Sequence, residues 1–183
     1  MSVGITGHTK GIGAGLYQAF AARGETVHGY SRTNGYDITS PGATDRILDH
    51  LMLNGGHTLI LNAQSGFMQT HQLYAALKFW REDPEKTIIA ISSNASDDIK
   101  RNAWPYSVQK LALDAAMDQM HLSSKCRLIN IKPGVVDTDF ARLLPDYIKR
   151  ISVDDVVRVV LFAYDQPREM LIKSITVQPR LNI

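Results

Sequence analysis

The chain has 183 residues, 44% of them hydrophobic, enough to bury the core of one domain spanning 1–183 rather than to remain disordered. Its formal charge is only +2, with basic pairs at Lys100-Arg101 and Lys149-Arg150 but no basic run, which argues against a nucleic-acid surface. No apolar stretch approaches the roughly 18 residues of a membrane span. The strand pattern begins at Ser2 without a leader, and the lone Cys126 lacks an intramolecular partner, so a cytoplasmic protein with a buried Cys126 thiol is expected.

Strand-like and helix-like periods alternate along the chain. Val3 to Thr6 reads as a buried strand, followed by a glycine-rich turn from Gly7 to Gly13 and a helix over Ile12 to Arg23 that Gly24 ends. Strands are expected at Thr26 to Tyr30 and, shorter, at Tyr36 to Ile38. A helix over 43–53 stops at Asn54-Gly55-Gly56. Then come a strand at His57 to Leu61, a helix at Gln69 to Arg81 and a strand at Thr87 to Ser92. Pro105 opens a long helix to Leu122, Arg127 to Ile131 is a strand, and Pro133-Gly134 stops it. Ser152 and Asp155 form a capping pair before a helix over Val153 to Tyr164, and Met170 to Val177 is the last strand. This alternation implies an α/β fold: a doubly wound parallel sheet in three αβα layers. Only four residues separate Arg32 from Asp37, so the crossover helix after the second strand is expected to be missing.

The first strand runs into Thr6-Gly7-His8-Thr9-Lys10-Gly11-Ile12-Gly13. A loop that opens a helix offers unpaired N–H groups and a positive dipole end, which suit a pyrophosphate, and glycines let the backbone pass close to it. The second strand ends in Ser31-Arg32, where an acidic residue would select NAD(H) through the ribose hydroxyl. Arg32, with Lys10 approaching the same point, would attract a 2′-phosphate and favour NADP(H), with NAD(H) still possible.

Tyr106 and Lys110 stand four apart on one helix and share a face. A free phenol titrates at about 10, too high for an efficient base near neutrality. A neighbouring ammonium is expected to lower it, so that Tyr106 donates a proton in reduction and accepts one in oxidation. Ser93, thirteen residues before Tyr106, lies at the carboxyl end of a parallel strand, where its hydroxyl would hold a substrate oxygen; Ser92 would face the opposite side.

Thr6-Gly-x-x-x-Gly-Ile-Gly13, Asn62-Ala63, Ser93, Tyr106-x-x-x-Lys110 and Pro133-Gly134 occur in order over most of the chain, and together they resemble the short-chain dehydrogenase/reductase family. The resemblance implies a Rossmann fold and a hydride exchanged between NADP(H) and a carbonyl or alcohol substrate. It implies Ser93, Tyr106 and Lys110 as the catalytic set, with Lys110 also holding the nicotinamide ribose. For the cofactor it implies Gly7, Thr9, Lys10, Gly11, Ile12 and Gly13 at the pyrophosphate, Ser31 and Arg32 at the ribose, and Asp37 and Ile38 near the adenine. Asn62, Ala63 and Gln64 would follow in the next loop, with Pro133, Gly134, Val136 and Thr138 toward the nicotinamide. It also implies a homodimer or homotetramer joined through the helix of Tyr106 and the one before it, where Leu73, Leu77, Trp80, Leu113, Met117 and Met120 either supply apolar faces or serve this chain's own core.

Three features depart from the family pattern. Gln64 replaces a glycine, and no asparagine stands between Asn62 and Asn94 where many members carry a catalytic one; Gln69, Thr70 and His71 are polar candidates with no spacing to choose between them. The segment between Thr138 and Ser152 is short for a substrate lid. Its Phe140, Leu143, Leu144 and Tyr147 would either line an apolar pocket or pack the lid down, leaving an open site for a bulky substrate. The six histidines form no metal pattern and Ser93 lacks a hydrolase elbow. The alternative to an enzyme is an NADP(H)-binding sensor or scaffold with little turnover.

Overall fold

The computed structural model describes residues 1–97, 104–142 and 144–180, so the expectations touching Lys100, Arg101 and Leu143 lie outside the described residues. Among these residues six strands form one parallel sheet: β1 (Ser2–Thr6), β2 (Thr26–Tyr30), β3 (Thr58–Leu61), β4 (Thr87–Ile91), β5 (Arg127–Pro133) and β6 (Ser174–Val177). Their order is β2-β1-β3-β4-β5-β6. Five α-helices connect them: α1 (Gly11–Ala22), α2 (Ala43–Leu53), α3 (Met68–Trp80), α4 (Pro105–His121) and α5 (Val153–Tyr164).

Side chains of a strand alternate between faces, and the two cores follow that alternation residue by residue. Leu59, Leu61, Ile88, Ala90 and Leu128 face α2, α3 and α4, which contribute Leu51, Leu73 and Met117. Ile60, Ile89, Ile91, Ile129 and Ile131 face α1 and α5, which contribute Leu16, Phe20, Val156 and Val160. Both faces are buried, which is why the strands read as unbroken apolar runs. Ser152 caps α5 by accepting from the Asp155 N–H while the Asp155 carboxylate accepts from the Ser152 N–H. Pro133 ends β5 beyond the reach of β4, paired only with Val177, so its missing N–H breaks no ladder on the β4 side.

The chain leaves β1 on one side for β2 and returns on its other side as β3. Such a reversal opens a crevice at the carboxyl ends of the strands, and both the glycine turn and the loop after β3 lie there.

The expected strand at Tyr36 to Ile38 is not one. A parallel neighbour to β2 needs a crossover of about a dozen residues or more, and the four residues after Arg32 cannot supply it. Instead Arg32–Asn34 form a single 3-10 turn, Gly35 takes φ +88°, and the Tyr36 N–H donates back to the Ser31 carbonyl at 2.8 Å. No α-helix occurs between Arg32 and Asp37, as expected. β6 is shorter than its apolar run because Met170 closes a turn on Pro167.

Of the two readings left open for the apolar residues of α3 and α4, the structure takes the core. Leu73, Leu77, Trp80, Leu113, Met117 and Met120 are all buried in this chain's own core. Cys126 is buried as expected, and burial pushes its thiol up to about 12. No described helix is long and apolar enough to cross a membrane.

Candidate active site

The crevice is a cleft of about 390 Å³. Gly7, Lys10, Gly11 and Ile12 line it from the glycine turn, and Asn62, Ala63 and Gln64 from the loop after β3. Ser93, Tyr106 and Lys110 line it from β4 and α4, and Pro133, Gly134, Val136 and Thr138 from the end of β5 and the loop after it. Thr9, Gly13, Ser31, Arg32, Asp37 and Ile38 do not line it.

The glycine turn is held by side chains from both neighbouring strands. The fully buried Thr6 hydroxyl accepts from the backbone N–H groups of Asn62 and Ala63, each at 3.0 Å. The Asn62 amide donates to the Thr6 and Gly7 carbonyls, each at 3.1 Å. Gly7 has φ +70°, and a Cβ on Gly13 would stand 2.1 Å from the Gly7 carbonyl oxygen. Gly13 therefore serves the turn from behind the cleft. Lys10, at the N-cap of α1, supplies no side-chain acceptor, leaving first-turn N–H groups for an anion.

The Lys10 ammonium lies 3.5 Å from Asp139, and both residues line the cleft, which Arg32 does not. Arg32 stands exposed on the 3-10 turn after β2. The Ser31 hydroxyl is engaged with Thr33 and Asn34. Asp37 closes its own turn by accepting from the Thr39 N–H and hydroxyl, which, with the charge of Arg32, hold its carboxyl below the usual range. The Ile38 side chain belongs to the core.

Ser92 and Ser93 part company at the end of β4. The Ser92 hydroxyl donates to Asp114 at 2.6 Å, away from the chemistry, whereas Ser93 lines the cleft with Tyr106, its hydroxyl donating to the Pro133 carbonyl at 3.4 Å and lowering the Tyr106 phenol. Burial raises the Tyr106 phenol above its ordinary range, and Ser93 only partly opposes this. The net direction is upward, against the net lowering expected from Lys110. The Lys110 ammonium lies 5.5 Å from the Tyr106 ring centre, and burial pushes it down to about 7 against the pull of Asp114.

Gln69 is the residue that the sequence left undecided. Its side-chain carbonyl accepts from Lys110 Nζ at 2.6 Å, and its amide donates to the Leu61 and Ile91 carbonyls at 2.7 and 3.0 Å. Lys110 also donates to the Ile91 carbonyl at 2.8 Å. A buried glutamine at the start of α3 thus accepts from the lysine and donates its amide to two strand-end carbonyls. His71 is exposed, and the Thr70 hydroxyl makes no hydrogen bond among the described residues. Gln64, where a glycine was expected, bonds the Gly66 carbonyl and the Gln109 side chain at 3.0 and 2.8 Å, tying the loop after β3 to α4.

The short lid divides. Phe140 and Leu144 line the cleft, with the Phe140 ring 5.4 Å from that of Tyr106, while Tyr147 points to solvent. Trp104 flanks Tyr106 on its own side at 5.3 Å. The Arg150 guanidinium holds the turn by donating to the Leu144 carbonyl at 3.1 Å.

With this geometry, comparison to solved structures decides the fold. An alcohol dehydrogenase from Thermococcus sibiricus, complexed with 5-hydroxy-NADP, superposes with a TM-score of 0.78 at 15% identity, over 96% of this chain and 95% of that one. A 3-alpha-hydroxysteroid dehydrogenase from Pseudomonas sp. B-0831, complexed with NADH, gives 0.75 at 17% identity, over 97% and 95%. Other matching chains are named as short-chain dehydrogenases.

The chain has the short-chain dehydrogenase/reductase fold.

The sequence-level likeness is thinner. No protein-family model matches. An uncharacterized oxidoreductase of Staphylococcus aureus is 28% identical over 109 residues, 57% of this chain and 47% of the relative. The match thus spans about half the length of that curated relative.

Proposed function

We propose that the chain is an NADP(H)-dependent oxidoreductase of the short-chain dehydrogenase/reductase family, which exchanges a hydride with a carbonyl or alcohol substrate. One observation carries this reading: Ser93, Tyr106 and Lys110 meet in the same cleft as the glycine turn. Names of relatives support it at the level of oxidoreductase.

The residues fit a dinucleotide. Gly11 lines the cleft at φ +52°, where a Cβ would crowd Thr138 at 3.1 Å, and α1 opens without a side-chain cap, leaving its first-turn N–H groups for a pyrophosphate. A bound nicotinamide would supply or accept the hydride. Ser93 would hold the substrate oxygen by its hydroxyl, and Tyr106 would give that oxygen a proton in the reductive direction. Burial keeps the phenol protonated at neutrality, which suits an acid. The charge left on the phenolate oxygen would be met by the Lys110 ammonium, held by Gln69 and the Ile91 carbonyl. The third Lys110 N–H remains for a ribose hydroxyl. Arg32, with no acidic side chain at the end of β2, is the basis for NADP(H) over NAD(H).

Nicotinamide fluorescence, followed while NADPH and NADH are titrated in turn, tests both parts. NADPH is expected to bind tenfold or more tighter, and Arg32→Glu to erase that preference, about 1.4 kcal/mol or more. Tyr106→Phe is expected to keep NADPH affinity and lose carbonyl reduction. No binding of either nucleotide by folded protein overturns the reading.

A further inference from the structure

Asp114 lies four residues after Lys110 on α4, is only 8% exposed, and beyond its charge acting on Lys110 has been given no role above. A carboxylate in the interior costs several kcal/mol in lost hydration unless its lone pairs are met. Here four donors meet them. Ser92 Oγ and Asn130 Nδ2 bond Oδ1 at 2.6 and 2.8 Å; Lys132 Nζ lies 2.9 Å from Oδ2, where Ser96 Oγ also bonds. Lys132 pairs in addition with Asp97.

Two of these donors bracket Ser93. Ser92 precedes it, and Ser96 closes the 3-10 turn Asn94–Ser96 that follows it. The Ser96 hydroxyl stands between the carboxylate and the Ser93 carbonyl, 2.7 Å from the latter. The turn in its own right directs the Ala95 N–H onto Ser93 Oγ at 3.2 Å. The backbone before and after Ser93 is therefore fixed to one buried anion, and that anion is fixed to the helix that carries Tyr106 and Lys110. Asn130 and Lys132 add the neighbouring strand β5 to the same anchor.

We propose that Asp114 is a positioning residue for Ser93: by gripping Ser92 and Ser96 it sets the turn that presents the Ser93 hydroxyl to Tyr106. A burial site that only stabilised the fold would be as well served by an apolar side chain of similar volume. What an apolar side chain could not do is hold both flanks of Ser93 in register with α4. Catalytic groups need placement within about 0.5 Å, and a displacement of about 1 Å can cost on the order of 100-fold in rate.

The proposal rests on the oxidoreductase reading, and a double-mutant cycle separates the two. NADPH oxidation is followed at 340 nm with 4-nitrobenzaldehyde as the carbonyl probe, for wild type, Asp114→Asn, Ser93→Ala and the double variant. Asp114→Asn is expected to lower kcat about 10-fold or more while NADPH affinity stays within about twofold, and to have less than about threefold effect once Ser93 is alanine. Equal factors on both backgrounds overturn the proposal. If Asp114→Asn does not fold, Ser92→Ala/Ser96→Ala removes the same two grips, and the same non-additivity with Ser93→Ala is expected. A second readout needs no turnover: alkaline absorbance titration of the tyrosines, with Tyr106→Phe subtracted to isolate the Tyr106 phenol. Asp114→Asn and Ser93→Ala should each move that titration upward, and the double variant no further. A wild type inert toward the probe, with this titration pattern intact, would sink the oxidoreductase reading and leave the positioning role standing; an unmoved Tyr106 titration in Asp114→Asn would sink the positioning role.

Discussion

Replacing Gln69 by leucine keeps volume and removes three hydrogen bonds from a side chain that is 2% exposed. The Ile91 carbonyl still accepts from Lys110, so the groups left without that partner are the Leu61 carbonyl and one Lys110 N–H. Each stranded buried group costs about 1–3 kcal/mol, and burying the added apolar surface returns about 2 kcal/mol. The net loss at pH 6 comes to about 2–3 kcal/mol, or about 5–10 °C in Tm for a chain of this size. Lys110 titrates in the fold at about 7 against an ordinary 10.5. The unfolded chain therefore binds more protons between those values, and the lysine's contribution to stability rises with pH through that window and is lost as pH falls. Above about pH 8 the amine is mostly neutral in the fold and has one donor fewer to place, so the leucine variant should lose only about 1 kcal/mol at pH 9. Urea unfolding at pH 6 and pH 9 reads the difference directly. Equal losses at both pH values would refute the claim that Gln69 acts on Lys110 and would reduce it to a packing residue. Carbonyl reduction should fall with it while NADPH affinity holds.

Gly13→Ala sets a Cβ 2.1 Å from the Gly7 carbonyl oxygen and 2.6 Å from the Asn62 amide. The turn has to open, with a loss of about 3 kcal/mol or more in stability and at least tenfold in NADPH affinity, read by thermal unfolding and fluorescence titration. Because burial raises the Tyr106 phenol, alcohol oxidation should go on climbing at alkaline pH beyond the point where a free tyrosine has titrated, whereas reduction stays level across neutrality. A pH–rate profile in both directions checks this; an oxidation limb that levels near neutrality would show that a bound ligand or Lys110 reverses the shift.

Most elements were legible because their periods are long and their ends are marked. Ser152 with Asp155, and Pro105 at the first turn of α4, place two helix starts to the residue. Ser93, Tyr106 and Lys110 were legible by spacing, since a helix stacks residues four apart and a parallel strand delivers its last residue to the crevice. Gln69 was not. Its part depends on how far α3 lies from α4 at the end of β3, a tertiary distance that no local pattern encodes. A polar residue on the otherwise apolar face of α3 was the signal, and Gln72 gives the same signal with no bond among the described residues. The strand at Tyr36 to Ile38 failed for the opposite reason. Its three residues have a plausible period, but their connection to β2 is too short for a parallel neighbour. The direction of Lys10 was not legible either, because sequence shows which loop carries a charge and not which way it turns; here it pairs with Asp139.

The turn that replaces this strand leaves β2 as the terminal strand of the sheet among the described residues, its Gly29 carbonyl accepting from the Asn34 amide at 2.7 Å. The deletion falls where it disturbs no other register: β1, β3, β4 and β5 keep neighbours on both sides. A unit at the end of a stacked series can be dropped without reseating the rest, much as a book leaves the end of a shelf. The chain thereby shortens at one edge of the sheet, and the strand ends that line the cleft keep their order. A designer seeking a smaller scaffold would cut at the same place.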